Sequence, residues 1–497
     1  MFELRTEGRV NPFSSFAVLF SIAALALLGA WTAGADAKQK KGPKPTPLIF
    51  VHGQSGSAQQ FESDAMRFTS NGFPQNRIFA YEYDTNEPAN DLAIANLDPF
   101  IEMVKSKTGA DQVDVLAHSR GTAVMHTYLE TPERAAMVEK YVNFDGRSSD
   151  SPPGGVPTLA VWGEPLFSPE PGEIVGAKNV YYPEKSHTEV TTSKEAFGDV
   201  YKFLLGKKPK TKNVKPEPPG QVTVAGRASD FPANTGIEGG KFSVYELFAK
   251  TGQRKSGKPV YKTTLGPSGN YGPFKVNGKK RYEFELTRPG ATTIHNYPEP
   301  FERDDHFYRV LSASGLVPFL DGSPNHANVT VTRMREFRGD QTGPGANDKL
   351  ELNGVNVIND VIAPRSGRIL GVFNLDRDSD GVSDFGSVLF PFSVLTFLTG
   401  VDYYMPASPD ASGTIAVKET MRDPGGQVKT TNVPNWPSSE HNITVNFKDY
   451  AAKSFTKSKK AKNKCAKKKN KKAKNKCKKK LKQKKDKKEK KKDKKRR

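Results

Sequence analysis

The fold is decided by residues 113–121, Val113-Asp114-Val115-Leu116-Ala117-His118-Ser119-Arg120-Gly121. The mostly apolar run 113–117 predicts a buried strand, and the segment 122–129 that follows has the residue spacing of a helix. A serine between a strand and a helix, with small residues two places before and after it, is typical of a sharp turn that presents a nucleophilic hydroxyl. Ser119 is therefore the candidate nucleophile, although Ala117 replaces the glycine that is usual before it.

Outward from this stretch, apolar runs that predict strands alternate with helical segments. The predicted strands are 47–51, 77–83, 113–117, 141–144, 158–162 and 179–182, and the clearest predicted helices are 92–107, 122–129 and 193–205. Strands that alternate with helices predict a mostly parallel sheet covered by helices on both faces. We therefore expect an α/β domain over residues 47–206.

A serine hydroxyl needs a base that takes its proton and an acid that orients the base. His187 follows the last predicted strand and precedes the last helix, where the chain order serine, acid, histidine places the base. Two residues fit the acid. Asp145 follows the strand after the helix of Ser119, and Glu164 follows the next strand. An acid that follows the strand 158–162 is expected three residues after Gly163, at position 166, and that residue is a leucine. The sequence therefore favours Asp145 over Glu164.

The negative charge that develops on the substrate oxygen needs donors that are already in place. Two backbone N–H groups are expected to form this oxyanion hole, one from Arg120 and one from Gln54. Gln54 lies in His52-Gly53-Gln54-Ser55-Gly56, directly after the first predicted strand, where the glycines allow close approach of the backbone. His52 and His118 are expected to have structural roles.

Taken together, His52-Gly53, the turn at 117–121 and the loop Ser186-His187 resemble the α/β-hydrolase lipases and esterases over roughly residues 46–206. Within that superfamily, the arrangement is similar to a secreted archaeal lipase with a C-terminal β-barrel domain. The resemblance implies hydrolysis of lipid or ester substrates by Ser119, Asp145 and His187, with no cofactor for catalysis. It also implies that the acid follows the strand after the nucleophile, which corresponds to Asp145.

The N-terminus has the pattern of an export signal. A basic start and an uncharged, mostly apolar run end at Ala35-Asp36-Ala37, which predicts a signal peptide over residues 1–37 and a linker over 38–46. An uncleaved membrane anchor is the alternative, because the apolar run approaches the length that spans a bilayer. We expect a secreted, extracellular protein that associates with the cell surface through its tail.

The residues beyond 206 have a different pattern. A basic, proline-rich linker over 207–220 precedes short strand-like runs separated by Gly, Pro and Asn turns. This spacing predicts an all-β sandwich or barrel over 221–322 and a second β-rich region over 323–452. Whether these two regions form one domain or two stays open.

An acidic loop in the second β-rich region predicts a structural Ca²⁺ site. Its ligands would be the side chains of Asp376, Asp378, Asp380 and Asp384 and the carbonyl of Val382, with Gly381 at the sharp turn. The bidentate Glu of a full EF-hand loop is missing, since Ser387 stands there. The apolar stretch 385–405 that follows predicts a buried core segment, with a lipid-contacting wall or lid as the alternative.

The chain's positive charge belongs to its tail. Residues 453–497 hold 28 Lys and Arg against 3 acids, a net of +25 in a chain whose total is +22, so the remainder carries a net of −3. This low-complexity tail, which also contains Cys465 and Cys477, is expected to be disordered and to associate with an anionic cell wall or membrane surface. Nucleic acid is not an expected partner, because no aromatic residues are interleaved with the lysines beyond Phe455 for stacking.

Three functional classes therefore follow from the sequence. The leading one is a secreted carboxylic-ester hydrolase, a triacylglycerol lipase or esterase. The second is an extracellular polyester depolymerase whose β domains bind substrate. The third is a non-catalytic cell-surface binding protein on a hydrolase scaffold.

Overall fold

A computed structural model describes residues 44–165, 170–313, 316, 319–422 and 426–451. The predicted signal peptide over 1–37 and the lysine-rich tail over 453–497, with Cys465 and Cys477, lie outside the described residues. The chain divides into the units Met1–Lys44 and Pro45–Arg497, and all the strands and helices given below lie in the second unit. Among the described residues, no helix combines the length and the apolarity needed to cross a membrane.

The N-terminal half contains one sheet of six parallel strands in the order β2-β1-β3-β4-β5-β6. The strands are β1 Leu48–Val51, β2 Ile78–Tyr81, β3 Val113–His118, β4 Val138–Phe144, β5 Thr158–Trp162 and β6 Lys178–Tyr181. The helices are α1 Glu62–Ser70, α2 Asp91–Thr108, α3 Arg120–Leu129, α4 Pro132–Ala135, α5 Glu189–Thr192 and α6 Lys194–Leu205. The predicted α/β-hydrolase architecture is confirmed, and α1 is a helix that the spacing of apolar residues did not identify.

Helices cover both faces of this sheet, as the strand β1, between β2 and β3, illustrates. Leu48 and Phe50 belong to the apolar cluster that contains residues of α1 and α6, while Ile49 and Val51 belong to the cluster that contains residues of α2 and α3. All four side chains are fully buried. Burial on both faces explains why this strand is continuously hydrophobic instead of alternating between apolar and polar residues.

The C-terminal half is built from strands in three sheets. The strands are β7 Val222–Asp230, β8 Lys241–Leu247, β9 Tyr261–Thr264, β10 Asn270–Val276, β11 Arg281–Thr287, β12 Thr293–Pro298, β13 Asp305–Ser312, β14 Val329–Phe337, β15 Lys349–Leu352, β16 Val355–Asn356, β17 Ile369–Leu375, β18 Leu398–Asp402, β19 Thr414–Thr420, β20 Val428–Pro434 and β21 His441–Asn446. The sheet orders are β10-β7-β13, β18-β17-β14-β21-β12-β11-β8-β9 and β16-β15-β19-β20. We refer to residues 221–451 as the β region.

The largest sheet contains strands from both of the predicted β-rich segments. Parallel pairing of β12 with β21, in which Ile294 lies opposite Asn442, joins the strands of 221–322 to those of 323–452. The two segments therefore share one hydrogen-bonded sheet. Sequence spacing does not reveal this pairing, because the two strands are separated by more than a hundred residues.

Three acids with buried side chains lie in segments that come after strands of the parallel sheet. Each of them forms ion pairs with arginines of the β region. The pairs are Glu82 with Arg227 and Arg309, Glu164 with Arg365, and Glu189 with Arg335, Arg338 and Arg422. The β region therefore contacts the edge at which open α/β sheets place their ligand sites.

Candidate active site

Ser119 lies at the turn between β3 and α3 with φ 52° and ψ −123°, a conformation that few non-glycine residues adopt. Its N–H donates to the carbonyl of Phe144 at 3.0 Å, which ties the turn to the end of β4. A Cβ on Gly121 would lie 2.6 Å from the carbonyl oxygen of His52 and 2.7 Å from that of Val51. Only glycine fits at this position, as the sequence pattern requires of the second small residue.

The side chains of His187 and Asp145 are in direct contact. Nδ1 of His187 lies 2.6 Å from Oδ2 of Asp145, and the other carboxylate oxygen of Asp145 accepts the N–H of Gly163 at 2.8 Å. Both side chains are at least nine-tenths buried. With Nδ1–H donating to the carboxylate, the tautomer of His187 leaves Nε2 free of its proton, as a general base requires.

Asp145 lies in a tight turn, and the residue after it, Gly146, has no room for a side chain. Its φ is 42°, and a Cβ on Gly146 would lie 2.0 Å from Oγ1 of Thr122 in α3. Asp145 and Gly146 are thus packed against α3, the helix that begins directly after Ser119.

Glu164, the alternative acid, has a different partner. Its carboxylate pairs with Arg365 of the β region, with Nε of Arg365 2.6 Å from Oε2, and its N–H donates to the carbonyl of Lys185 at 2.7 Å. Of the two acids that the sequence left open, the structure brings Asp145 against His187 and engages Glu164 in an ion pair. Leu166, where a later acid would be expected, lies outside the described residues.

His118 connects the loop of His187 to the turn of Ser119. Its Nε2 lies 2.8 Å from the carbonyl oxygen of His187, and its Nδ1 lies 2.5 Å from Nε2 of Gln60. Burial lowers the pKa of His118 well below its usual value. The imidazole is therefore neutral, with Nε2–H donating to the carbonyl of His187 and Nδ1 accepting from the Gln60 amide.

His52 supports the first loop in a similar way. Nδ1 contacts the carbonyl of Gly53 at 2.9 Å, Nε2 accepts the N–H of Tyr83 at 3.3 Å, and the two rings stack with centroids 4.5 Å apart. Burial lowers the pKa of this imidazole as well. Both histidines therefore hold backbone segments in place, in line with the structural roles expected of them.

The two predicted oxyanion residues are linked through their side chains. Nη1 of Arg120 donates to Oε1 of Gln54 at 2.7 Å, and Nε2 of Gln54 donates to the carbonyl of Thr85 at 2.8 Å. A Cβ on Gly53 would lie 2.8 Å from Cβ of Ser119, so the loop presses directly against the serine. Arg120 is the first residue of α3. Its backbone N–H therefore has no hydrogen-bond partner within the helix and is free to donate to an anionic oxygen. The pattern alone did not reveal that the guanidinium of Arg120 ties these loops together.

A cavity of about 430 Å³ contains Ser119 and His187 in its wall, together with Gln54. Most of its remaining wall is apolar and comes from the β region. These residues include Phe231, Ile294, Leu311, Leu320, Met334, Leu370, Phe373, Phe397 and Leu398. Phe397 and Leu398 lie in the stretch 385–405, for which a lipid-contacting wall was the alternative prediction. Sequence reasoning missed the other wall residues, because strand alternation marks an apolar face without showing which cavity that face borders.

The predicted Ca²⁺ loop does not form a converged set of carboxylates. Asp376 is buried, one of its oxygens accepts the N–H of Gly381 at 3.2 Å, and its Oδ1 has no hydrogen-bond partner. The side chain of Asp378 is 87% exposed. Among the described residues, the acidic and histidine side chains that do converge are Glu283, Glu285 and His295.

Arg254 occupies that converged cluster. Its Nε lies 2.6 Å from Glu283, and it also pairs with Glu285. The three groups form part of a buried ion-pair network, and a cation there would have to displace the guanidinium.

Three family models match the chain. The lipase (class 2) family matches residues 45–134, the lipase C-terminal domain matches residues 220–314, and a further C-terminal domain matches residues 315–451. These matches support a lipase or esterase of the α/β-hydrolase superfamily with a C-terminal domain. The match of residues 220–314 to a lipase C-terminal domain agrees with the C-terminal β domain that the resemblance implied.

Three solved structures with similarity to this chain illustrate the range of the matches. One is a gene product of Listeria innocua, at 16% identity over 34% of this chain and 97% of that chain, with a TM-score of 0.26. Another is Aspergillus fumigatus lipase B, at 12% identity over 34% of this chain and 54% of that chain, with a TM-score of 0.28. The third is a carboxylesterase of Bacillus subtilis, at 14% identity over 33% of this chain and 86% of that chain, with a TM-score of 0.23.

Proposed function

We propose that this chain is a secreted carboxylic-ester hydrolase, a lipase or esterase that works through an acyl-enzyme on Ser119. The contact between His187 Nδ1 and Asp145 Oδ2, at 2.6 Å, carries the proposal. It supplies an oriented base in the wall of the cavity that also contains Ser119. A binding protein on the same scaffold would have no need of this hydrogen-bonded pair beside a strained serine.

In the proposed mechanism, Ser119 Oγ attacks the ester carbonyl carbon while Nε2 of His187 takes the hydroxyl proton. The carbonyl electron pair moves to the oxygen, where the backbone N–H groups of Gln54 and Arg120 stabilise it. The pair returns as the C–O bond to the alcohol breaks, and His187 protonates the leaving alcohol. Water then attacks the acyl-enzyme by the same route and releases the acid, which regenerates Ser119.

The apolar wall of the cavity favours substrates with an acyl chain. Leu370, Phe373 and Met334 belong to strands or strand ends of the β region and line the cavity that contains Ser119. Burial of a hydrocarbon chain against such side chains contributes about 0.8 kcal/mol per methylene group. We therefore propose fatty-acyl esters as the substrate class.

The proposals that the protein is secreted and that it binds a structural Ca²⁺ rest on sequence patterns. The basic start, apolar run and Ala35-Asp36-Ala37 support export, and the Asp376–Asp384 spacing supports a structural Ca²⁺. The unpartnered Oδ1 of buried Asp376 adds to the case for the cation, because a buried carboxylate oxygen without a partner is unfavourable. No step of the proposed mechanism depends on this metal.

The test of the proposal is covalent labelling with a p-nitrophenyl phosphonate ester, read by mass spectrometry of the folded protein. We expect one phosphonyl adduct on Ser119, lost in Ser119→Ala and retained in Ser312→Ala, which removes another serine of the same cavity. Absence of labelling in folded wild-type protein would eliminate the enzyme proposal. Rates on soluble esters, emulsified triglyceride and polyester film then separate esterase, lipase and depolymerase.

A further inference from the structure

One arginine lines the cavity of Ser119, in a wall that is otherwise apolar or neutral. Arg288 directly follows β11 and belongs to the wall of this cavity. Among the described residues of the wall, the only other groups that titrate near neutral pH are the imidazoles of His118 and His187, and none carries a carboxylate. The proposed mechanism does not use the guanidinium of Arg288, so its presence in the cavity has another cause.

Arg288 lies at the mouth of the cavity. The turn that follows it, residues 289–291, is exposed, and Gly290 and Ala291 of this turn line the cavity. Thr396 is also exposed and lines the cavity, so the expectation of a buried core segment over 385–405 holds only in part. Exposed residues that line a cavity mark where it opens to solvent. Arg288 therefore stands where a substrate enters.

Two contacts orient the guanidinium of Arg288. Its Nη2 donates to Oγ of Ser312 at 2.6 Å, and its Nη1 donates to Oδ1 of Asp230 at 3.2 Å. Within the described part of the chain, these contacts use two of the five N–H donors of the guanidinium. The group is thus held in one place, with donors left for a ligand in the cavity.

Two hydroxyl groups of the cavity wall add donors near this guanidinium. Oγ of Ser312 accepts from Arg288, and Oγ1 of Thr292, in the turn that Arg288 begins, accepts from Nδ2 of Asn442 at 2.5 Å. Because each oxygen already accepts a hydrogen bond, each hydroxyl can donate its own hydrogen. A guanidinium beside hydroxyl donors suits a group that carries several oxygens and a negative charge, such as phosphate or carboxylate.

The acids nearest to Arg288 lie outside the wall of the cavity. Asp230, which pairs with Arg288, has a side chain that is 29% exposed. Glu440, whose carbonyl accepts the N–H of Thr293, is exposed. Ion pairs that are this open to water are weak, whereas charges in a cavity with apolar walls interact more strongly. Asp230 therefore reduces the attraction of Arg288 for an anion in the cavity without cancelling it.

Other charged groups near the cavity do not face its interior. Asp321 follows the wall residue Leu320 and lies 3.8 Å from Arg377, and the N–H of Asp378 in the acidic loop donates to Asp321 at 2.8 Å. None of these three charged residues lines the cavity. Among the described residues, the guanidinium of Arg288 is thus the full charge that a ligand in the cavity meets.

We propose that Arg288 binds an oxyanion carried by the ester substrate at the mouth of the cavity, with the hydroxyls of Thr292 and Ser312 as further donors. This proposal rests on the proposed function and narrows its substrate class to esters that bear a phosphate or a carboxylate group. The anion can belong to the alcohol or to the acyl part of the ester, because both present the same oxygens to Arg288.

The experiment measures kcat/KM of the full-length protein on two pairs of soluble esters. Monohexanoylglycerol phosphate and monohexanoylglycerol differ by a phosphate on the alcohol, and mono-p-nitrophenyl adipate and p-nitrophenyl hexanoate differ by a carboxylate on the acyl chain. We expect wild type to favour the anionic ester of at least one pair by about tenfold, the effect of a hydrogen bond to a charged group. The pair that shows the preference assigns the anion to the alcohol or to the acyl part.

Arg288→Gln tests the residue, and Arg281→Gln on the same strand is its matched control. Arg281 donates to Oγ1 of Thr431 at 3.0 Å and does not line the cavity. Arg288→Gln should lower the ratio of kcat/KM for the anionic ester to that for the neutral ester by about tenfold, mainly through KM. Arg281→Gln should keep the wild-type ratio. The ratio is the readout because a loss of folded protein or of the reacting groups lowers both rates together.

Two further measurements move the same ratio in opposite directions. Asp230→Asn should raise it by about twofold, since the variant removes the carboxylate that competes for Arg288. High concentrations of sodium chloride should lower the wild-type ratio, because salt screens the attraction between the guanidinium and the anion. A purely structural role of Arg288 predicts neither change.

Binding separates this proposal from the proposed function. Ser119→Ala is titrated calorimetrically with both ester pairs, and it should bind the anionic ester of at least one pair about tenfold more tightly than the neutral one. Ser119→Ala/Arg288→Gln should bind the two esters equally. Wild type that hydrolyses none of the four esters would overturn the proposed function, while the difference in affinity still supports the anion site.

Three outcomes would overturn the anion site and leave the proposed function intact. The first is a wild-type preference for the neutral ester in both pairs. The second is an equal ratio in Arg288→Gln and wild type. The third is a fall of the ratio in Arg281→Gln as large as that in Arg288→Gln, which would assign the preference to the overall charge of the β region.

Discussion

In the α/β core, the residues at the candidate site stand on turns and loops that follow strands, with Ser119 directly after β3 and Asp145 directly after β4. In the β region, they are side chains within strands and in the loop between β17 and β18. The core contributes Ser119, Asp145 and His187, which are held by backbone contacts such as that of His118 Nε2 with the carbonyl of His187. The β region contributes the apolar side chains of the cavity wall and the arginines that pair with the acids of the core. The difference indicates that the candidate reactive groups are oriented by local turns, whereas the shape of the cavity depends on residues from a distant part of the chain.

The acids of the core show how the two regions depend on each other. Glu189, two residues after His187, is buried and pairs with Arg335, Arg338 and Arg422. Burial alone would raise the pKa of Glu189, but the positive charges of Arg422 and Arg335 outweigh it and lower the pKa to about 2. The loop that carries His187 is thus held by charges that lie in the β region.

The largest expected effect is loss of the reactive group in the core. Ser119→Ala should lower kcat/KM on p-nitrophenyl butyrate by about 10⁴-fold or more, since the residual rate comes from binding and the oxyanion donors alone. Its thermal unfolding should match wild type within a few degrees. A variant that keeps a tenth of the activity would show that the core does not supply the nucleophile from this turn.

The acid assignment comes next. Asp145→Asn should lower kcat by about 10³-fold, because the amide can no longer hold the tautomer of His187 that leaves Nε2 unprotonated. Glu164→Gln is the matched variant, and we expect its kcat within about threefold of wild type, with a stability loss of about 1 kcal/mol from the weakened Arg365 pair. Steady-state kinetics and urea unfolding measure both. The reverse result, with only Glu164→Gln inactive, would assign the acid to the next strand.

The contact between the two regions predicts a pH effect on stability. Because the folded pKa of Glu189 is depressed, its stabilising contribution is present above the unfolded pKa near 4.5 and is lost as pH falls towards about 2. Glu189→Gln should lower the free energy of unfolding by about 3 kcal/mol at pH 7 and flatten its decline between pH 5 and pH 3. Urea unfolding across this range is the measurement. Parallel pH curves for the two proteins would argue against the charge contact.

A smaller effect should follow from narrowing the cavity on the β side. Thr330 in β14 lines the cavity, and Thr330→Trp should lower the rate on a long-chain relative to a short-chain p-nitrophenyl ester by about tenfold. Thr264→Trp, on the exposed edge strand β9, serves as its control. If the chain-length profile of Thr330→Trp equals that of wild type, the β region does not line the acyl path.

The smallest expected effect concerns calcium in the β region. Millimolar Ca²⁺ should raise the melting temperature by about 2 °C, and a chelator should reverse the change. Asp376→Asn should abolish the response, while Asp111→Asn, an exposed acid of the core, should retain it. Scanning fluorimetry with and without Ca²⁺ tests this, and an equal response in both variants would remove the predicted site.

The sequence by itself determined the parts of the molecule that depend on neighbouring residues. The alternation of strands with helices predicted a sheet covered on both faces, and the continuous apolar run of β1 agrees with it, since a strand with one exposed face would alternate. The serine turn was readable because its conformation excludes a side chain at Gly121, where a Cβ would meet the backbone of β1. Such constraints act within a few residues along the chain or between adjacent strands, so they leave a pattern.

Only the tertiary structure decided what depends on distant partners. Asp145 and Glu164 both follow parallel strands, and they differ because Arg365, about two hundred residues away, pairs with Glu164. The pairing of β12 with β21 and the part of the apolar wall that lies outside 385–405 cannot be recognised in the sequence either. The physical reason is that alternation tells which face of a strand is apolar, whereas the neighbour of that face depends on how the whole chain packs.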